Sequence, residues 1–115
     1  MEARTFVFGA VVAGALLVRP LAGQQPDGQA VYRQECKLCH GINGVPPKRE
    51  QAKYKKLKSL GDSGFVSALS VDSIVTILKK GLGKDMKSFT GKLTDGEICA
   101  VAEYIKKLAE KKRPT

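Results

Sequence analysis

The sequence of 115 residues has no tryptophan, one histidine and three cysteines, and these shortages exclude several kinds of site. A structural zinc site takes four Cys or His ligands, usually in two pairs. Here Cys36, Cys39 and His40 lie together, and the one further ligand, Cys99, is 60 residues beyond Cys39. A redox C-x-x-C of the thioredoxin kind lies in a βαβ unit, and the sequence shows no βαβ pattern. No Ser-His, Cys-His or paired-carboxylate constellation indicates a hydrolase.

The chain also lacks an apolar run of about 20 residues, the length that a membrane-spanning helix needs. The run FVFGAVVAGALLV at residues 6–18 has 13 residues, a length typical of the apolar part of an export signal. Arg19 and Pro20 then end the run, and LAG at residues 21–23 offers small residues for cleavage after Gly23. We therefore predict a cleaved signal peptide over residues 1–23 and one periplasmic domain over residues 24–115. The alternative is an uncleaved N-terminal segment that anchors the protein in the membrane, facing the periplasm.

Aromatic residues are scarce beyond the predicted signal. A chain of fewer than a hundred residues buries only a modest apolar core. Such a chain would gain stability by folding around a large apolar cofactor. The aromatic residues available to that core are Tyr32, Tyr54, Phe65, Phe89 and Tyr104.

The stretch CKLCH, residues 36–40, is the attachment pattern of haem c when it occurs in an exported chain. Residues three apart share one face of a helix, so the thiols of Cys36 and Cys39 can add to the two vinyl groups of one haem. His40 follows at once and can turn toward the iron. The motif therefore predicts one covalent haem c.

Three segments have the start signals and apolar spacing of helices. Asp27 is a good N-cap for a helix that leads into the motif. Ser70 and Gly81 bound a second helix, and Thr94 with Glu97 forms the capping box of a third. The predicted buried faces are Val71, Ile74, Val75 and Leu78 in the second helix, and Ile98, Val101, Ala102, Ile105, Leu108 and Ala109 in the third. We predict an all-α domain of about four helices.

After signal cleavage, Met86 is the one methionine, and His40 is the only histidine of the whole sequence. Two histidine ligands to one iron are therefore excluded within the chain, and a Met–His pair is what these two residue types offer. Met86 lies in GLGKDMKSFTGKL, which we interpret as a flexible loop between two helices. The alternative for a lone methionine is a place in the apolar core.

These features together resemble the small monohaem class I cytochromes c of exported, bacterial type. The resemblance covers residues 27–110 and depends on CKLCHG, GLGKDMKSFTGKLTDGE and EICAVAEYIKKL. It implies a cytochrome c fold in which the two terminal helices cross and the haem lies in a cleft. It also implies thioethers at Cys36 and Cys39, with His40 as the proximal iron ligand and Met86 as the distal one.

The resemblance extends to supporting residues. Gly28 and Tyr32 match contact positions of the first helix, and the last helix has the matching positions Val101, Tyr104 and Ile105. The family uses a proline carbonyl to hold the proximal imidazole N–H, and the candidates here are Pro46 and Pro47.

The net charge is +9, with 20 basic and 11 acidic residues. Many of the lysines lie in two stretches that form either an ordinary solvated face or a basic collar around the haem edge. Such a collar would steer acidic redox partners. Nucleic acid is not an expected partner, because aromatic residues do not alternate with these charges. The two basic stretches are Lys48, Arg49, Lys53, Lys55, Lys56 and Lys58, and Lys79, Lys80, Lys84 and Lys87.

We therefore predict a one-electron carrier, not an enzyme, whose haem c cycles between Fe(II) and Fe(III) with His40 and Met86 as ligands. Its partners would be redox proteins, either acidic or membrane-bound complexes, and no small-molecule substrate is expected. The alternatives are a haem c sensor or enzyme with an open distal site, and a dedicated cytochrome subunit of a larger redox complex. Cys99 is expected to be a partly buried inert thiol or, alternatively, to form an intermolecular disulfide.

Overall fold

The computed structural model describes Gly9, Gly14 and residues 25–61 and 63–111. The predicted export segment, residues 1–23, lies outside this part of the chain apart from the two glycines. In the described ranges the chain forms helices and two isolated β-bridges, with no extended strand. The helices are α1 (Gly28–Glu35), α2 (Lys37–His40), α3 (Lys48–Lys53), α4 (Ser63–Ser67), α5 (Val71–Lys80) and α6 (Asp95–Glu110).

The all-α prediction is confirmed, although six helical segments are described where about four were predicted. The additional ones are short: α2 has 4 residues, α4 has 5 and α3 has 6. Segments of this length carry too few apolar positions for a periodic pattern to stand out. None of the helices in the described ranges combines the length and the apolar character needed to cross a membrane.

The three predicted helix starts are confirmed by their caps. The Asp27 carboxylate accepts a hydrogen bond of 3.0 Å from the main-chain N–H two residues later. The Ser70 hydroxyl accepts one of 3.0 Å from the N–H three residues later. At the start of α6 the capping box is complete, with Thr94 Oγ1 accepting from the Glu97 N–H at 3.1 Å and Glu97 Oε1 accepting from the Thr94 N–H at 3.0 Å. Each cap satisfies N–H groups that a helix start otherwise leaves unpaired.

The core lies between α6 and the helices α1, α4 and α5, which all pack on it. The six apolar residues predicted for the buried face of α6 are all buried. The other helices place the side chains of Val31, Tyr32, Val66, Ile74 and Leu78 against this face. Burial of one such side chain stabilises the folded chain by about 1.5–3 kcal/mol, so α6 is the element around which the other helices are organised.

The crossing of α1 and α6 depends on the absence of a side chain at Gly28. A Cβ atom there would lie 2.1 Å from the carbonyl oxygen of Ala100, so the two backbones approach as closely as only glycine allows. Next to this contact the rings of Tyr32 and Tyr104 lie with their centroids 5.3 Å apart. The hydroxyl of the fully buried Tyr32 donates a hydrogen bond of 2.7 Å to the Gly41 carbonyl. The crossing is thereby connected to the residue that directly follows the CKLCH motif.

Replacing Gly28 with alanine is expected to lower the free energy of unfolding by about 1–3 kcal/mol, because the added methyl group forces α1 and α6 apart. The measurement is guanidinium unfolding followed by circular dichroism. Gly96 is the matched control, since a Cβ there has its nearest neighbour, a side-chain atom of Pro26, at 3.5 Å. Alanine at Gly96 should leave stability unchanged or raise it by up to about 1 kcal/mol. Equal losses at both glycines would contradict the close-approach argument.

Candidate functional site

The CKLCH motif lies on a single helical turn. Cys36 separates α1 from α2 with φ −116° and ψ −33°, so the backbone stays right-handed through the break. The N–H of His40 donates a hydrogen bond of 3.0 Å to the carbonyl of Cys36. Cys36 is buried and Cys39 is half-buried. The two predicted attachment residues and the predicted proximal ligand therefore come from one rigid turn at the end of α1.

The Cys36 thiol is neutral in this environment. Burial raises its pKa to about 12, and the neighbouring Glu35 carboxylate and Cys39 thiol add to the shift. The side chain prefers an uncharged state, and a thioether is permanently uncharged. The surroundings of Cys36 thus fit a sulfur that is bonded to a haem vinyl carbon.

His40 has a buried Nδ1 atom that makes no hydrogen bond with any described residue. Buried polar atoms are nearly always paired, so such an atom indicates a functional role or a missing partner. Burial lowers the pKa of His40 below its usual value, while the nearby main chain of Lys58 opposes the shift. The imidazole is therefore neutral, which is the form that binds a metal ion.

The predicted proline contact to His40 is absent from the structure. Neither the Pro46 nor the Pro47 carbonyl accepts a hydrogen bond from the imidazole Nδ1. The Pro46 carbonyl instead accepts one of 2.7 Å from the Gln51 side chain. This contact joins the residues before α3 to the α3 helix itself.

Residues 82–93, which we call the distal loop, begin with a closed turn around Met86. The Leu82 N–H donates to the Met86 carbonyl at 2.8 Å, and the Met86 N–H donates to the Leu82 carbonyl at 3.3 Å. Before the turn, Gly81 has φ +76°, and a Cβ there would lie 2.6 Å from the Met86 carbonyl oxygen. Met86 is half-buried and packs against the core. The loop predicted to be flexible is therefore closed by main-chain hydrogen bonds at the methionine.

The distal loop is also joined to the end of α5. The Phe89 N–H donates to the Leu78 carbonyl at 2.9 Å. The Thr90 hydroxyl donates to the Lys79 carbonyl at 3.0 Å, and the Ser88 hydroxyl donates to the same oxygen. These bonds satisfy carbonyl groups that the helix end leaves unpaired. The part of the distal loop that follows Met86 is thus fixed to the end of α5.

Several large apolar side chains are exposed, among them Phe65, which was expected to be available to the core. Leu38 is 76% exposed and lies between the two motif cysteines, and Ile42 is 56% exposed just after His40. A large apolar group lying over such side chains would remove them from water. The full set is Leu38, Ile42, Val45, Phe65 and Leu82. Four of these five side chains lie within five positions of the motif or of Met86 in the sequence, and the fifth, Phe65, lies in α4.

All ten residues of the two basic stretches are exposed. Lys79 forms an ion pair with Asp95 at 3.4 Å, and Arg49 forms one with Glu50 at 3.3 Å. The lysines of the second stretch flank the distal loop or belong to it, so positive charge lies close to Met86 along the chain. Cys99 is exposed as well, so the expectation of a partly buried thiol there is wrong.

Comparisons with known proteins agree on one kind of fold. The family model described as "Cytochrome C oxidase, cbb3-type, subunit III" matches residues 23–105. Cytochrome c6 of Microcystis aeruginosa is 35% identical over 86 residues, 74% of this chain and 98% of that protein. Cytochrome c6 of Synechocystis sp. is 32% identical over 93 residues, 79% and 71% of the two chains. The solved structure of the KustC0563 c-type cytochrome has a TM-score of 0.64 and 26% identity, covering 72% of this chain and 98% of its own.

Proposed function

Because the chain belongs to the class I cytochrome c family and is an electron carrier with one covalently bound haem c, we propose that Cys36 and Cys39 hold the haem by thioethers and that His40 and Met86 ligate its iron. The observation that carries the proposal is the single helical turn that brings the buried Cys36 thiol, the Cys39 thiol and the His40 imidazole together. The haem supplies the one-electron chemistry, an exchange between Fe(II) and Fe(III).

Each protein group has a separate task. The Cys36 and Cys39 thiols would hold the haem by two thioethers, and addition of each S–H across a vinyl double bond would need no net oxidation. The neutral imidazole of His40 offers the lone pair of its other ring nitrogen, Nε2, as a ligand. Met86 offers a soft thioether, which favours the reduced state of an iron centre. The closed turn around Met86 limits the reorganisation of this ligand between the two oxidation states.

We further propose that the protein is a carrier without enzymatic activity. With Met86 on the iron, no coordination position is left for a substrate or for a gas. The oxidised protein at neutral pH should then show the weak red sulfur-to-iron charge-transfer band, and the reduced protein should bind carbon monoxide slowly. A protein that lacks the band and binds carbon monoxide rapidly would instead be a sensor or an enzyme with an open distal site.

The carrier works with other redox proteins, and we propose that these are acidic or belong to membrane-bound complexes. The exposed basic stretches around residues 48–58 and 79–87 support a collar of positive charge, which attracts acidic surfaces over a distance of about 30 Å in about 10 mM salt and about 10 Å in about 0.1 M salt. A dedicated subunit of a larger redox complex would differ from a free carrier only in its partner. We also propose that residues 1–23 are an export signal and that residues 24–115 act in the periplasm.

The basic collar predicts that the rate of electron transfer with an acidic partner depends strongly on salt concentration. The bimolecular rate with an acidic redox partner should fall about tenfold or more as the ionic strength rises from about 10 mM to about 150 mM, since screening removes the steering of encounters. Stopped-flow spectroscopy of the haem absorbance measures the rate. An uncharged small-molecule oxidant is the control and should react at the same rate throughout. A flat series with the acidic partner would leave the lysines as a solubilising surface.

A further inference from the structure

A partly buried ion pair joins the distal loop to the helix that leads into the motif. Lys92 Nζ lies 2.8 Å from the Glu35 carboxylate. Glu35 is the last residue of α1, directly before Cys36, and its side chain is only 19% exposed. Lys92 lies at the other end of the distal loop from Met86. The pair therefore connects the attachment side of the haem site with the distal side.

The main chain makes Lys92 a fixed point of the distal loop. Its N–H donates a hydrogen bond of 3.1 Å to the Phe89 carbonyl, which also accepts one of 3.0 Å from the Leu93 N–H. Phe89 packs against the core and is bonded through its own N–H to the end of α5. A displacement of Lys92 would therefore be transmitted to Phe89, which lies three residues after Met86 in the same loop.

We propose that the Glu35–Lys92 ion pair is a latch that positions the distal loop against α1 and keeps Met86 on the iron. This inference rests on the proposed ligation by Met86. A carboxylate that is four-fifths removed from water is stable when a cation accompanies it. Opening of the distal loop takes the Lys92 ammonium away and leaves that carboxylate unpaired. The latch thereby disfavours the open form, in which Met86 has left the iron.

The Lys79–Asp95 ion pair has neither a buried carboxylate nor a contact with α1, the two features of the latch. Its nitrogen–oxygen distance is 3.4 Å, and the Asp95 side chain is 88% exposed, so water already solvates the carboxylate. It joins α5 to α6 and does not reach α1. Exposed pairs of this kind contribute little to stability. The chain thus offers a matched pair of lysine–carboxylate contacts, of which only Glu35–Lys92 spans the haem site.

The test measures how often the oxidised holoprotein exposes its iron, by the rate of cyanide binding in excess cyanide at neutral pH. Glu35→Gln and Lys92→Gln, each with the haem attached, should both bind cyanide about three- to fivefold faster than the parent, the range expected for one ion pair. The double exchange Glu35→Lys with Lys92→Glu should restore most of the parent rate. Asp95→Asn is the control and should bind cyanide at the parent rate.

Each outcome has a separate meaning. Cyanide-binding rates equal to the parent's in both single variants would overturn the latch. Faster binding in only one of the two would also overturn it. So would faster binding in Asp95→Asn by the same factor. Failure of the charge exchange to recover the slow rate would also overturn it. A contact that supports the fold alone would lower the free energy of unfolding in guanidinium without changing the cyanide rate. If the parent itself lacks the red charge-transfer band, the ligation by Met86 is wrong, and that result is independent of the variants.

Discussion

Replacing Met86 with alanine should abolish the red charge-transfer band of the oxidised protein and lower the reduction potential by an amount on the order of 100 mV. The band requires sulfur on the iron, and the potential falls because the soft thioether that favours Fe(II) is lost. No second methionine or histidine beyond residue 23 can take its place. Visible spectroscopy and a redox titration at neutral pH, where lysine side chains are protonated, measure both effects.

The same variant should bind carbon monoxide about ten- to a thousandfold faster. In the parent, binding has to await a minor open form, populated at about 0.1–10%, whereas the variant is open throughout. Lys84→Ala is the control, because Lys84 belongs to the same turn and its side chain is exposed. Lys84→Ala should keep the band and the slow binding. A Met86→Ala protein with an unchanged band would show that another group ligates the iron.

Replacing both Cys36 and Cys39 with alanine should yield a chain that has no covalent haem and does not fold. The described core contains only twelve buried apolar residues, and large apolar side chains near the motif stay exposed to water. Without the haem to cover them, too little apolar surface is buried to offset the loss of chain entropy. Circular dichroism should show loss of helix, and size-exclusion chromatography should show an expanded chain.

Each single cysteine variant should keep one thioether, which the pyridine haemochrome spectrum distinguishes from two. Cys99→Ala is the control for the loss of a thiol, since Cys99 is exposed and distant along the chain from the motif. It should leave the haem content unchanged and alter the free energy of unfolding by less than about 0.5 kcal/mol. A double variant that stays compact and helical would refute the argument that the haem completes the core.

The sequence by itself determined the features that depend on neighbouring residues. The caps at Asp27, Ser70 and Thr94 involve groups two or three residues apart, so their pattern alone predicts the helix starts. The buried face of α6 follows from apolar residues at helical spacing over 16 residues. The attachment motif is equally local, because C-x-x-C-H lies within one helical turn. These parts of the prediction needed no knowledge of the path of the chain.

The tertiary structure decided the features that join residues distant in sequence. The proline contact to His40 is absent, and the Pro46 and Pro47 carbonyls both accept hydrogen bonds from Gln51 in α3. The loop expected to be flexible is closed at Met86 by bonds to Leu82, and Cys99 is exposed because the packing on α6 leaves its position uncovered. No local sequence pattern predicts these contacts and exposures, because each depends on which surfaces meet when the helices pack.

Two contacts of α1, the helix that leads into the motif, are of this second kind. The Cβ position of Gly28 is filled by the Ala100 carbonyl, 72 residues later in the chain, and the Glu35 carboxylate meets Lys92. The sequence predicts α1 and α6 as separate helices, and the resemblance to a family adds that they cross. Only the packed structure shows the distances at that crossing and brings a charged residue of the distal loop to the end of α1. The physical reason is that side chains from separate segments become neighbours only after the helices have buried their apolar faces on α6.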